Sequence, residues 1–313
     1  MQVAHIVSQE GQRPGNKHLK QGVLPTQSGN IGVTHPMQAN ILFQNNEHMV
    51  LTFTDLVTGE GIQANQMVII QEGHSAIFDP GGDLTYMPLS MAITKYVKVK
   101  DIDYVIASHQ DPDIISSLDK WLMYSDAKIV VSKLWERFVP HLVPGYMKEK
   151  AEGRMIAIPD QGMYIPMGHS VIKAIPAHFL HSVGNFHFYD PISKILFSGD
   201  VGASMVDKHP ERAVRDFDRH IPKMQAFHER YMVSNKVCRL WARMVRNMDV
   251  EMIVPQHGRP FQGKEMISKF LDWFETLECG IDKLTQHNYM VPQNSEKRTN
   301  EKTGEPLPLL SSM

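Results

Sequence analysis

Tyr104-Val105-Ile106-Ala107-Ser108-His109-Gln110-Asp111-Pro112-Asp113-Ile114 carries an apolar strand straight into one histidine and two carboxylates. If the chain stays extended past Ser108, then His109, Asp111 and Asp113 alternate onto one face, and Pro112 discourages the helix that would scatter them. A metal ion would offset the negative charge gathered there. Asp-Pro-Asp is also ordinary turn chemistry and a histidine before it can simply be solvated, so the stretch by itself leaves both readings open.

Composition narrows the partners. With 313 residues, 42% of them hydrophobic, the chain has ample material for a buried core, and disorder throughout is excluded. The balance of 32 basic against 34 acidic residues, a net of -2, offers no field that would recommend nucleic acid or an anionic membrane. Small ligands are favoured. The two cysteines, Cys238 and Cys279, stand far apart in sequence and outside any CxxC or Cys/His pattern. That fits a reducing compartment, argues against structural zinc or a disulfide framework, and reads as packed core thiols. Nothing at the N-terminus resembles an apolar signal core, and no run approaches the roughly 20 apolar residues of a membrane span, so a cytoplasmic location is expected.

Residues 1–38 read as an irregular arm rich in Gly, Gln, Pro and Asn. Short apolar runs at 41–43, 49–53, 67–70 and 76–78 predict hairpins closed by a turn at 79–82. Helical spacing predicts helices over 89–97 and 115–124, a strand at 128–131, and a helix over 133–139 capped by Ser132. Strands follow at 154–158, 170–175, 185–189, 194–198 and 252–255. Residues 221–248 carry one apolar stripe and predict a single long amphipathic helix, its aromatic residues core and its arginines a solvated face. A last helix is expected over 265–284, and 286–313 reads as a flexible tail. One domain over 39–285 is the economical organisation.

Further ligand types recur where strands end. His178 and His181 follow the strand that closes at Ile175, Asp200 closes Ile195-Leu196-Phe197-Ser198-Gly199-Asp200, and His257 closes Met252-Ile253-Val254-Pro255-Gln256-His257. Each follows a buried apolar run and has glycine nearby, the arrangement expected when strand ends converge on one rim of a sheet.

At this point the sequence resembles the metallo-β-lactamase superfamily, and within it the di-iron branch of flavodiiron proteins and their single-domain oxygen-binding relatives. The resemblance spans about 41–285. The superfamily's first motif has the form His-x-His-x-Asp-His, with a carboxylate replacing the second His in the di-iron branch; here it stands as His109-x-Asp111-x-Asp113-Ile114. The 18 residues between His181 and Asp200 match that branch, and the Asp200 to His257 spacing is close to it. The resemblance implies an α/β fold, a four-layer αββα sandwich with a binuclear metal site at the sheet edge. It also implies that His109, Asp111 and His181 hold one metal, Asp113 and His257 the other, and that Asp200 bridges them. His178 matches no ligand position. It is placed tentatively beside the ligands, where an imidazole can orient a ligand or donate to a bound molecule, and a satisfied turn histidine is the equal alternative.

Two departures matter. Asp111 is shorter than the glutamate usual in flavodiiron proteins, and Ile114 replaces the histidine that gives zinc hydrolases an extra ligand. Three carboxylates and three imidazoles form a harder, more oxygen-rich set than a typical hydrolytic zinc site and favour iron or manganese; the resemblance implies two iron ions, with manganese or zinc as alternatives. The expected function is a non-haem di-iron protein binding, and in one form reducing, dioxygen or nitric oxide, as a sensor or carrier or as a reductase with a separate electron donor. No flavin fingerprint is present, so a redox or signalling partner would be a separate protein; a homodimer is left open. The competing reading is a binuclear metal-dependent hydrolase of a phosphodiester, thioester or lactone, in which the ions activate water.

Overall fold

The computed structural model describes residues 39–57, 61–145, 148–206 and 209–292; the expected arm at 1–38 and most of the expected tail lie outside them. Among the described residues, thirteen strands form two sheets. The first sheet runs in sequence order, β1 (Asn40–Gln44), β2 (His48–Phe53), β3 (Gln66–Gln71), β4 (His74–Phe78), β5 (Tyr104–Ile106), β6 (Lys128–Ser132) and β7 (Met155–Ile158). Strands β1 to β4 pair antiparallel as the predicted hairpins, and β4 to β7 pair parallel. Ile77, Val105, Ile106, Ile129 and Val130 are fully buried, as continuous apolar runs must be where both faces of a parallel sheet are covered.

The second sheet has the order β13-β12-β11-β10-β9-β8. It comprises β8 (Met163–Met167), β9 (Ser170–Pro176), β10 (Phe186–Asp190), β11 (Ile195–Phe197), β12 (Met252–Val254) and β13 (Phe261–Gln262). Strands β8 to β11 form an antiparallel meander, and β12 joins β11 in parallel. The sheets face each other through Phe78, Phe188 and Phe197, with ring centroids 5.5 and 4.9 Å from Phe78. Each such buried ring contributes about 2–3 kcal/mol. A polar clamp also joins them: His48 of β2 meets the Asp190 carboxylate of β10 at 2.7 Å, with Gln71 on the other ring nitrogen.

Helices close both outer faces. α1 (Asp83–Ile93), α2 (Pro112–Ile115), α3 (Leu118–Tyr124) and α4 (Lys148–Ala151) belong to the first half of the chain. Leu89, Ile93, Ile115, Leu118 and Trp121 pack on the first sheet. α5 (Phe217–Tyr231), α6 (Asn235–Arg246) and α7 (Lys264–Thr276) cover the second through Met224, Trp241, Val245, Phe270 and Phe274. The result is the expected four-layer αββα sandwich.

Several local expectations need correction. Residues 111–115 are not extended throughout: Asp111 is the last extended residue, and Pro112 opens a helical turn. Proline at the first position suits a helix start, because its missing N–H has no partner there anyway. α1 begins six residues earlier than the expected 89, with Pro88 inside it. The expected helix over 133–139 is a run of turns followed by a short 3-10 turn at Val139–Leu142. The single helix over 221–248 is two, because Val233 leaves the helix: its N–H donates to the Phe179 carbonyl at 3.3 Å and its carbonyl accepts from Ile281 at 2.8 Å. The helix expected to reach 284 stops at Thr276, followed by a turn through Gly280 at φ +51, where a Cβ would lie 2.3 Å from two backbone oxygens.

Candidate metal centre

Parallel pairing aligns the carboxyl ends of β4, β5 and β6 in one sheet and of β11 and β12 in the other. Ligand-type residues sit just past these ends: His109 and Asp111 after β5, Asp113 in α2, His181 in the loop after β9, Asp200 after β11 and His257 after β12. Gly199, at φ +48, lets β11 approach β5; a Cβ there would lie 3.2 Å from Ser108 Oγ.

The six converge in two groups that share Asp200. Asp200 Oδ2 stands 2.8 Å from His181 Nε2 and 3.6 Å from His109 Nε2, and Asp111 Oδ2 stands 3.4 and 3.7 Å from the same two nitrogens. The other oxygen, Asp200 Oδ1, stands 3.4 Å from His257 Nε2, which is 3.4 Å from Asp113 Oδ2. His109, Asp111 and His181 also have the mutual spacing of residues able to hold one ion. His178 takes no part in this geometry: its Nε2 faces the Asp160 carbonyl at 2.8 Å and its ring stands edge-on to Phe186. Ile114 is fully buried in the core on the helix side of the first sheet.

These residues fit metal ions. His109 Nε2 and Asp200 Oδ1 are buried and have no hydrogen-bond partner, a costly arrangement unless another group binds them. Most of the separations are too long for hydrogen bonds, but two donors each about 2.1 Å from one ion stand about 3–3.4 Å apart. Electrostatics agree. Burial works against a proton on His109, but the Asp200 and Asp111 carboxylates hold its pKa at about 10. Burial likewise opposes charge on Asp200, yet the three imidazoles hold it well below the usual carboxylate range. His257 is raised despite its burial, by Asp113 and Asp200. The cavity thus calls for positive charge.

Supporting bonds aim the imidazoles. Asp79, at the end of β4, accepts the Ser108 N–H at 2.7 Å and the Ser108 hydroxyl at 3.0 Å. That leaves Ser108 Oγ to accept from His109 Nδ1, 2.9 Å away, so Nε2 faces the centre. His257 Nδ1 donates to the Gln63 carbonyl at 2.7 Å, which fixes its Nε2 in the same way. Burial raises Asp79 to about 6. The ligand motifs in the sequence include neither Asp79 nor Gln63. Asp79 carried a usable signal, an acidic residue closing an apolar strand just as Asp200 does, whereas a backbone carbonyl such as that of Gln63 leaves no trace in residue type.

A cleft of about 500 Å3 reaches His257 and is lined by Ile62, Met205, Val206, Phe227 and Tyr231 among others. Phe227 and Tyr231 stack at 4.7 Å, and Tyr231 lies 5.4 Å from the His181 ring. Both belong to the apolar stripe expected in the core, but Tyr231 is 53% exposed and lines the cleft.

Two stacked sheets carrying histidines and aspartates on one rim define a metallo-β-lactamase-type protein of the di-iron branch. Residues 62–258 match the family described as ODP family beta lactamase, and the chain belongs to that family. It is 38% identical to a structure described as the peroxy diiron species of chemotaxis sensor ODP, with a TM-score of 0.70, over 80% of this chain and 100% of that one. The apo state of that sensor, from T. denticola, is 37% identical over 81% of this chain and 100% of its own, also with a TM-score of 0.70. The rubredoxin oxygen:oxidoreductase of Desulfovibrio gigas shares the fold at 14% identity and a TM-score of 0.63, over 75% of this chain and 61% of that one. An uncharacterized protein of Methanocaldococcus jannaschii is 27% identical over 213 residues, 66% of this chain; the chain spans about half the length of that curated relative, 51%. Among the described residues, no helix is long and apolar enough to cross a membrane.

Proposed function

We propose that this chain is a non-haem di-iron protein that binds dioxygen or nitric oxide and serves as a sensor. His109, Asp111 and His181 would hold one iron, Asp113 and His257 the second, and Asp200 both. The observation that carries this reading is the division of Asp200, with one oxygen facing His109 and His181 and the other facing His257. Its likeness to the chemotaxis sensor ODP, recorded in a peroxy diiron state, supports the choice of iron and of an oxygen ligand.

Two iron ions held by these residues would supply the electrons that a bound diatomic ligand takes up. The protein's own share is positioning and exclusion. The Ser108 hydroxyl, held by Asp79, and the Gln63 carbonyl fix the two imidazoles through Nδ1, which keeps both Nε2 lone pairs directed inward. The cleft beside His257 presents Ile62, Met205, Phe227 and Tyr231, apolar surface suited to an uncharged gas. Among its described lining residues Asp55 is acidic and none is Lys or Arg. Turnover as a reductase would draw electrons from a separate redox protein; as a sensor, the chain would report its state to a signalling partner.

The test is to purify the protein without oxygen, count iron, manganese and zinc, and record the optical spectrum before and after air. Two irons per chain and a new oxygen-dependent visible band are expected. Full zinc loading, no response to oxygen and turnover of a phosphodiester would replace this reading with the hydrolase.

A further inference from the structure

The two cysteines, read from sequence as separate core thiols, are neighbours. Cys238 in α6 and Cys279, 41 positions later, bring their Sγ atoms to 3.7 Å, and both are free thiols. Cys279 stands where the chain leaves α7 and enters the 3-10 turn Gly280–Lys283, and its sulfur accepts the backbone N–H of Asp282. Both are fully buried, but the segment beyond Cys279 lies outside the helices: Ile281 is 61% exposed, and Tyr289, Met290 and Val291 are exposed as well. It is tied back by the Ile281 N–H to the Val233 carbonyl, by the Asn235 N–H to the Asp282 carboxylate, and by Lys283 to Glu229. Peripheral segments of this kind open locally at far less cost than the whole fold.

We propose that Cys238 and Cys279 are a redox-active pair that a hydroperoxide closes into an intrachain disulfide. The Cys279 thiolate attacks one oxygen of hydrogen peroxide; an S–O bond forms, the O–O bond breaks, and the departing hydroxide takes the thiol's proton and leaves as water. The Cys238 sulfur then attacks the sulfenic acid; the S–S bond forms, the S–O bond breaks, and a second water leaves with the Cys238 proton. In sum, two thiols and one peroxide give one disulfide and two waters. The sulfurs lose two electrons and the peroxide gains them. Closure to about 2.05 Å brings the sulfurs together by roughly 1.7 Å, which side-chain rotation and a small shift of the exposed turn supply.

The proton shared between the sulfurs pushes Cys279 down and, with burial, Cys238 up, which favours Cys279 as the attacking sulfur. The site also adjoins the metal centre. Ile281 bonds Val233, Val233 bonds Phe179, and Phe179 stands two residues before His181. A cross-link at the root of this segment braces the loop that presents His181.

The test uses the full chain, reduced, freed of reductant, treated with hydrogen peroxide, then unfolded in N-ethylmaleimide and weighed intact. The expected product is about 2 Da lighter than the reduced chain, carries no maleimide, and regains two reactive thiols with dithiothreitol. Its thermal midpoint should rise by several degrees and return on reduction. Cys238→Ser and Cys279→Ser, treated alike, should show neither the mass loss nor the rise. Two maleimide adducts after peroxide, oxygen added to sulfur without a link, or linkage only between chains would overturn the proposal. The mass and the thiol count are read on the unfolded chain and do not depend on the metal bound, so failure here leaves the di-iron reading untouched.

Discussion

Asp79 grips Ser108 with both oxygens, one on the backbone N–H at 2.7 Å and the other on the hydroxyl at 3.0 Å. Neither residue reaches the metal positions, yet together they decide which nitrogen of His109 points inward. Asp79→Ala should therefore weaken metal binding by about 10- to 100-fold, measured by competition with a chelator, while circular dichroism stays native. Unchanged affinity would remove Asp79 from the centre.

Asp200 and Asp113 should fail differently. Asp200→Ala removes the carboxylate facing both groups of imidazoles and should leave fewer than two metals per chain by elemental analysis. Asp113→Ala removes a donor from the His257 group alone and should retain the metal held by His109, Asp111 and His181. Two tightly held metals in Asp200→Ala would disprove the bridge.

Acid should destabilise the fold through its buried neutral histidines. Burial pushes His187 down to about 3 and His228 down to about 4. Trp241 donates to His187 Nδ1, and the Gly202 N–H donates to His228 Nε2, so both rings are held neutral. In the unfolded chain both take protons near pH 6.5. The unfolded state then binds more protons, so their stability contribution is full above about pH 6.5 and falls as pH drops toward 4. Urea midpoints of metal-free protein should decline from pH 7 to pH 5, and His228→Gln should flatten the decline.

The clamp between the sheets should matter to stability and not to the metal. Asp190 is fully buried against His48, and it also takes the Ser193 N–H and hydroxyl. Burial raises its pKa, but His48 and Ser193 more than offset this and leave it below the ordinary value. Asp190→Ala strands those donors and should cost about 3 kcal/mol or more in urea denaturation. Metal content per folded chain should not change.

Much of the fold was legible because its strands obey simple patterns. The hairpins of β1 to β4 and the buried runs of β5, β6 and β12 stand in the sequence as short apolar segments ended by polar residues. β8 and β13 were missed; Pro166 interrupts the first and the second spans two residues. The helix over 221–248 was read as continuous because its stripe is continuous. The break at Val233 comes from partners, Phe179 and Ile281, that lie far away in sequence.

By itself the sequence determined which residue types end each apolar strand: His109, Asp111, Asp113, His181, Asp200 and His257, in the order and spacing of one superfamily. Local chemistry suffices for that, since strand patterning and ligand identity are properties of neighbouring residues. Only the tertiary structure decided how the two oxygens of Asp200 divide between the imidazoles, that Asp79 aims His109, and that Cys238 meets Cys279. Each of these joins residues from separate elements, so sheet pairing and helix packing, and no local preference, set the distance between them.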